Sequence, residues 1–190
     1  CDAGHAASCA TLAAMYRDGI NVAKDWTKAA GLAQAACDKD VLAACRLIGN
    51  AKLGGQGVPK DLKDGIAVLD RVCLAGDTRG CVDLGIARLA DKKLAGDAQY
   101  AFRRACYGGE FDGCAWLGSL YVEGKGGMRV SPALGIKFLD KGCREGSMRA
   151  CTMQADVLTA GTGVPKDVAK AKALYAKACG AGEAVACKKK

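Results

Sequence analysis

The sequence predicts an all-α fold built from stacked helix pairs. Three observations carry that prediction: an apolar fraction made mostly of Ala, Leu, Val and Cys with only 5% aromatics, a cysteine frame that recurs along the chain, and glycines and acidic residues held at fixed offsets from that frame. Small apolar side chains and only three prolines in 190 residues suit closely packed helices better than a sheet-rich core. With 51% hydrophobic residues the chain can bury a real core. It contains no apolar run of about 18 residues, the length of a membrane-crossing helix, and no signal-peptide pattern at its start. The expectation is a soluble segment without a transmembrane helix.

Twelve cysteines fall in six pairs with one spacing: Cys1/Cys9, Cys37/Cys45, Cys73/Cys81, Cys106/Cys114, Cys143/Cys151 and Cys179/Cys187. First members are 36, 36, 33, 37 and 36 residues apart, a period that marks stacked supersecondary units. The chain therefore reads as a single repeat domain, 1–190, with units 1–36, 37–72, 73–105, 106–142 and 143–178 and a partial C-terminal capping helix in 179–190. Zinc-site spacings are absent: there is no C-x-x-C, and His5 is the only histidine. An even count of cysteines at this density points to disulfides in an oxidising space, with no metal and no cofactor.

The elements follow in chain order. A first helix runs from just before Cys9 to Gly19, and a second from Asp25 to Cys37. The pattern then repeats from near Cys45 to Gly55, from Asp61 to Cys73, from near Cys114 to Gly124, from Ser131 to Cys143, from near Cys151 to Gly161 and from Asp167 to Cys179. Glycine ten positions after the second cysteine reads as a helix end, because it takes a positive φ without a Cβ clash. A second glycine series, Gly4, Gly76, Gly109, Gly146 and Gly182, stands three after the first cysteine, broken only by Asp40. Asp25, Asp61, Ser131 and Asp167 stand twelve before the next first cysteine and can accept from the free amides of a first helical turn. Pro132 after Ser131 suits a first helical position. The linker G-V-P-K-D occurs at 57–61 and again at 163–167. The third unit lacks it and has Asp91 at the glycine position, so its second helix is expected to begin near Asp97 and to be shorter.

Each unit thus has a helix A followed by a helix B, and the cysteine spacing explains how units join. On one continuous helix, eight residues at about 1.5 Å each would hold two cysteines about 12 Å apart, beyond the roughly 7 Å that a disulfide tolerates. A chain reversal is needed, with the first cysteine in the last turn of helix B and the second in the first turns of the next helix A. Closing such a loop is worth about 2.5 kcal/mol on the chain-entropy account. Cys1 would occupy a helix B that precedes the chain, which predicts a longer native protein; the rival is a lipoprotein lipidated on Cys1, which would deprive Cys9 of its partner.

The frame C-x-x-L-G-x-x-Y, then G-V-P-K-D, then A-K-A-x-x-x-Y-x-K-A-C-x-x-G resembles the Sel-one-like repeat, a relative of the tetratricopeptide repeat. The uniform C-x7-C pairs resemble its cysteine-rich branch. Matching residues are Leu117-Gly118 with Tyr121, Leu84-Gly85, Ile48-Gly49, Leu12-Ala13 with Tyr16, and residues 171–182. Lys52, Arg88 and Leu158 depart from the tyrosine position, and Gln154-Ala155 departs from Leu-Gly. The resemblance implies a right-handed αα superhelix that binds a partner on its concave face. It also implies that the inward positions lie one, five and eight after each second cysteine. These are Ala10, Ala14 and Arg17; Arg46, Asn50 and Leu53; Val82, Ile86 and Leu89; Ala115, Ser119 and Val122; and Thr152, Asp156 and Thr159. The groove would be apolar at its centre and polar at its rims, suited to a peptide or a helix, with Ile86, Leu89 and Val122 near the middle.

No catalytic centre is expected. Nucleophilic catalysis needs a base within reach of a Ser or Cys, yet His5 falls in a turn and every cysteine has a partner at the required spacing. Relatives in the cysteine-rich branch have been linked to penicillin binding or weak β-lactam hydrolysis, but S-x-x-K, S-D-N and K-T-G are absent. G-x-S-x-G and the phosphate-binding G-x-x-x-x-G-K-[ST] are absent as well. The glycine-rich stretch at 123–132 reads as a loop. Trp26, Trp116, Tyr100, Tyr121, Phe138 and Tyr175 fall in helical patterns and read as packing residues. Twenty-eight Lys and Arg against 20 Asp and Glu give a net charge of +8, which permits an acidic partner. Nucleic-acid binding would need a basic stripe with stacking aromatics and is not expected. The expected function is a monomeric, extracytoplasmic scaffold for a protein or peptide, periplasmic or secreted, or in the mitochondrial intermembrane space if eukaryotic. Alternatives are a cell-wall or β-lactam-related binder or hydrolase, and a metal- or haem-binding protein.

Overall fold

A computed structural model describes residues 5–189, which contain eleven α-helices and no strand. The chain divides into two compact units, 1–87 and 88–190. In the first lie α1 (Ala6–Asp18), α2 (Trp26–Cys37), α3 (Leu42–Gly54), α4 (Leu62–Leu74) and most of α5 (Thr78–Ala90). The second holds the end of α5, a 3₁₀ turn at Ala95–Asp97, α6 (Ala98–Tyr107), α7 (Asp112–Glu123), α8 (Pro132–Arg144), α9 (Met148–Ala160), α10 (Val168–Gly180) and α11 (Ala184–Cys187). Helices consecutive in sequence pack as neighbours: α1 on α2 and α2 on α3 on α4 in the first unit, and α6 through α11 in series in the second. Odd-numbered helices up to α9 are the A helices of the repeat and even-numbered ones the B helices.

The helix ends follow from local chemistry. Asp25, Asp61 and Asp167 accept hydrogen bonds from the backbone amides of Lys28, Asp64 and Lys170 at 2.9–3.0 Å, satisfying donors that a first turn leaves free. Ser131 stands at the expected boundary, but its side chain makes no such bond; Pro132 in the first turn sets that start instead. At the A-helix ends, Gly19, Gly55, Gly124 and Gly161 are left-handed with φ of 68° to 74°. Asp40, the exception in the other series, still adopts φ 57°. The third repeat begins its helix B at Ala98, after Asp97, and that helix has only 10 residues.

Each of the five described cysteine pairs lies across the predicted reversal. Cys37–Cys45, Cys73–Cys81, Cys106–Cys114, Cys143–Cys151 and Cys179–Cys187 are bonded with Cα atoms 4.5–4.6 Å apart. Cys9 is also disulfide-bonded; its expected partner, Cys1, lies outside the described residues.

Small residues bring helix A onto helix B. A methyl on Gly49 would stand 3.0 Å from Leu69, and one on Gly65 2.9 Å from the Gly49 carbonyl oxygen. Gly118 and Gly135 repeat this geometry, with a methyl on Gly135 only 2.7 Å from the Gly118 oxygen. The Leu-Gly positions are thus where two backbones meet. In the fifth repeat Gln154, which replaces the leucine, is buried; its Nε2 donates to Asp140 at 3.3 Å, while its Oε1 is unbonded.

Candidate functional site

The expected partner-facing residues separate into those engaged within the fold and those open to a ligand. In the first unit Arg46 and Asn50 of α3 reach α5: the Asn50 amide donates to Asp83 at 2.7 Å, and the Arg46 guanidinium lies 3.5 Å from Asp83 and 3.8 Å from Asp77. These polar positions join neighbouring A helices. Arg17 is paired with Asp18, and hydrogen bonding to that carboxylate raises its pKa further. Leu53 packs over Gly65, Val82 is half-buried, and Ile86 is exposed at 42%.

In the second unit Thr152 is buried and donates back to the Met148 carbonyl at 3.0 Å. Asp156 accepts from the Tyr175 hydroxyl and the Lys189 ammonium, both at 2.5 Å, which ties α9 to α10 and to the chain after α11. Burial and then the bond to Asp156 raise the Tyr175 pKa; the same carboxylate raises that of Lys189. Val122 packs over Gly135, and Ser119 donates to Glu123 at 2.6 Å. The Glu123 carboxyl is partly buried, which pushes its pKa up, but hydrogen bonds from Lys125 and Ser119 bring it below the usual range.

Two clefts open on the A-helix face of this unit. The larger, about 380 Å³, lies between the end of α5 and α7 and is lined by Leu89, Ala90, Ala95, Trp116, Ser119, Leu120 and the Lys125–Gly126 loop. The smaller, about 180 Å³, lies between α7 and α9, with Val122, Leu139, Met153 and Val157 around Glu123 and Asp156. Ser119 borders both, so the clefts adjoin. Four expected residues, Leu89, Ser119, Val122 and Asp156, come together here.

Trp116, Ala95 and Met153 were not among the expected binding positions. Trp116 reads as packing from its helical pattern, and it does stack on Phe102 with centroids 5.7 Å apart, but it also lines the larger cleft. The available signal was its place two after Cys114, which Met153 shares relative to Cys151. Tyr121 and Tyr175 pack as expected, Tyr121 stacking on Phe138 at 5.6 Å. Tyr100 does not: it is 49% exposed on α6, with the Arg104 guanidinium over its ring. His5 is exposed just before α1. Among the described residues no cluster of His, Cys, Asp or Glu could hold a metal ion, and no helix is long and apolar enough to cross a membrane.

The Sel1 repeat family matches residues 6–41, 42–67, 112–147 and 150–183, well over half of the chain. The chain belongs to the Sel1 repeat family. The stretch left unmatched holds the shortened third repeat, where the linker and the glycine cap are both missing. Cytochrome c oxidase assembly factor 7 of Xenopus tropicalis is 27% identical over 168 residues, covering 83% of this chain and 73% of that protein. A Sel1 repeat protein from Oxalobacter formigenes shares the fold with TM-score 0.81 and 23% identity over 97% of this chain and 76% of its own. Helicobacter pylori cysteine rich protein B, at TM-score 0.55 and 26% identity, covers 69% of this chain and 96% of its own. The matching family is a repeat family rather than an enzyme family, and the disulfides, five of them described in full, fit an oxidising compartment.

Proposed function

We propose that this chain is a non-catalytic scaffold that takes a protein or peptide partner along the face of its A helices, the face that the repeat resemblance makes concave. The observation that carries this reading is the adjoining pair of clefts at Ser119: apolar floors with a few polar groups, the usual composition of a binding site. Similarity to a protein named as an assembly factor supports a partner-binding role. Its setting is the periplasm or the secreted space, or the mitochondrial intermembrane space in a eukaryote, and it acts as a monomer.

The groups engaged within the fold narrow the binding set. Arg46, Asn50, Thr152 and Asp156 hold the scaffold together, whereas Ile86, Leu89, Ser119 and Val122 carry contact. A pull-down with the oxidised chain followed by calorimetry on variants tests this. Ile86→Asp and Leu89→Asp should each weaken the captured partner at least about tenfold, as loss of a central contact does, while Lys170→Glu and Lys172→Glu on α10 change little. Unchanged affinity in folded Ile86→Asp and Leu89→Asp, with a loss in the α10 variants, would place the site on the B helices.

A further inference from the structure

The larger cleft lies at the end of the shortened third repeat's first helix and beside its late second helix. In the other repeats the second glycine of a G-x-G turn seats against the start of the preceding helix B: Gly57 against Trp26, and Gly163 against Pro132. Gly126 seats in the same manner, but against Ala95. Trp26 and Pro132 are bulky first residues of α2 and α8. The third repeat lacks the G-V-P-K-D linker, starts its helix B late and has the small residue Ala95 here, whose carbonyl oxygen a methyl on Gly126 would meet at 2.6 Å. Beside this seat lies the open floor of Leu89, Ala90, Ala95, Leu120 and Trp116.

Lys125 lines this cleft, and further basic residues flank it in sequence: Lys92 and Lys93, after Asp91, on the segment that leads to Ala95, and Arg129 on the loop after α7, all four cations exposed. Lys125 pairs with Glu123, whereas Lys92, Lys93 and Arg129 are in no ion pair among the described residues. Across Ser119 the smaller cleft has Glu123 and Asp156 in its lining, paired with Lys125 and Lys189.

We propose that the larger cleft seats one bulky apolar side chain, aromatic or branched aliphatic, from a partner segment whose flanking residues are acidic; this rests on the A-helix reading above and names the partner's chemistry. The Trp116 ring and the aliphatic floor take the apolar anchor, with ring contact adding to area burial for an aromatic one. Lys125 and the basic residues that flank the cleft attract the carboxylates beside the anchor.

The test uses the full oxidised chain and a blocked peptide, Asp-Glu-Phe-Asp-Glu, labelled for anisotropy. Trp116 emission is read in a Trp26→Phe background, since the chain has two tryptophans. Saturable binding that alters Trp116 emission is expected. Replacing the peptide Phe by Ala should weaken it about tenfold or more, and so should filling the cleft from either wall with Ala95→Trp or Ala90→Phe. Lys92→Glu with Lys93→Glu should weaken it several-fold and flatten its salt dependence. Circular dichroism identifies folded variants, and two plugs from opposite walls guard against one failing to fold. No saturable binding up to about 1 mM, indifference to both plugs, or equal affinity for a Lys-flanked peptide would each overturn the proposal. Equal affinity for N-acetylphenylalanine amide would mark a small-molecule pocket and overturn it too. If the captured partner loses affinity in Ile86→Asp while peptide binding ignores both plugs, the A-helix reading stands and only this inference falls.

Discussion

At the residue scale, glycine does two different jobs, and only one was legible in the sequence. The offset from the cysteines marks Gly55, Gly124 and Gly161 as helix ends, and all three are left-handed. The following Gly57, Gly126 and Gly163 are also at positive φ, but their role is close approach to the preceding helix B, which a single chain's spacing does not display. Gly57→Ala should therefore cost more than the roughly 1–2 kcal/mol of an unfavourable left-handed conformation, because its methyl would lie 2.0 Å from the Trp26 oxygen. Gly76→Ala, also at positive φ but with nothing within 4 Å, should cost only the conformational part. Urea unfolding of the two variants makes the comparison, and equal losses would contradict the seating. The Asp25 carboxylate shows a separate effect. Its pKa is depressed by the Lys28 backbone amide, so its contribution to stability is present above its unfolded pKa and is lost as pH falls through the lower folded value. Asp25→Asn keeps the cap but cannot titrate, and its stability should fall less steeply than wild type on acidification below about pH 4.

At the element scale, the cysteine frame made nearly every helix boundary readable, because a bridge between residues eight apart requires a reversal. Removing one staple in the core of the second unit, by Cys106→Ser with Cys114→Ser, should lower stability by about 2.5 kcal/mol with the helices retained; equilibrium unfolding with far-ultraviolet circular dichroism checks both parts. Gln154 is the element-level flaw that the repeat pattern already exposed. It occupies a leucine position, is buried, and leaves its carbonyl oxygen unbonded. Gln154→Leu should raise stability by about 1 kcal/mol, read as a higher melting temperature. A lower one would mean that its bond to Asp140 outweighs the buried oxygen. The polar A-helix positions were less legible. Offsets from a cysteine say which side of a helix a residue occupies, but not that Asp83 will meet Asn50, or that Tyr175 and Lys189 will converge on Asp156.

At the scale of the whole molecule, membership in the Sel1 repeat family and the helical stack were foreseeable from period and composition, since both depend on residues that recur. The larger cleft was not, because it lies where recurrence fails: a repeat three residues shorter than its predecessors lacks the linker and has Ala95 where others place Trp26 or Pro132. Function at this scale rests on the claim that a partner lies on the A helices. Hydroxyl-radical footprinting of the complex with the captured partner tests it most directly, because reactive side chains mark both faces. Trp116 and Met153 line the clefts, whereas Tyr100 and Tyr107 on α6 are exposed at 49% and 64%. A partner on the A helices should protect Trp116 and Met153 and leave Tyr100 and Tyr107 as reactive as in the free chain. Protection of the two tyrosines with Trp116 and Met153 unchanged would contradict it.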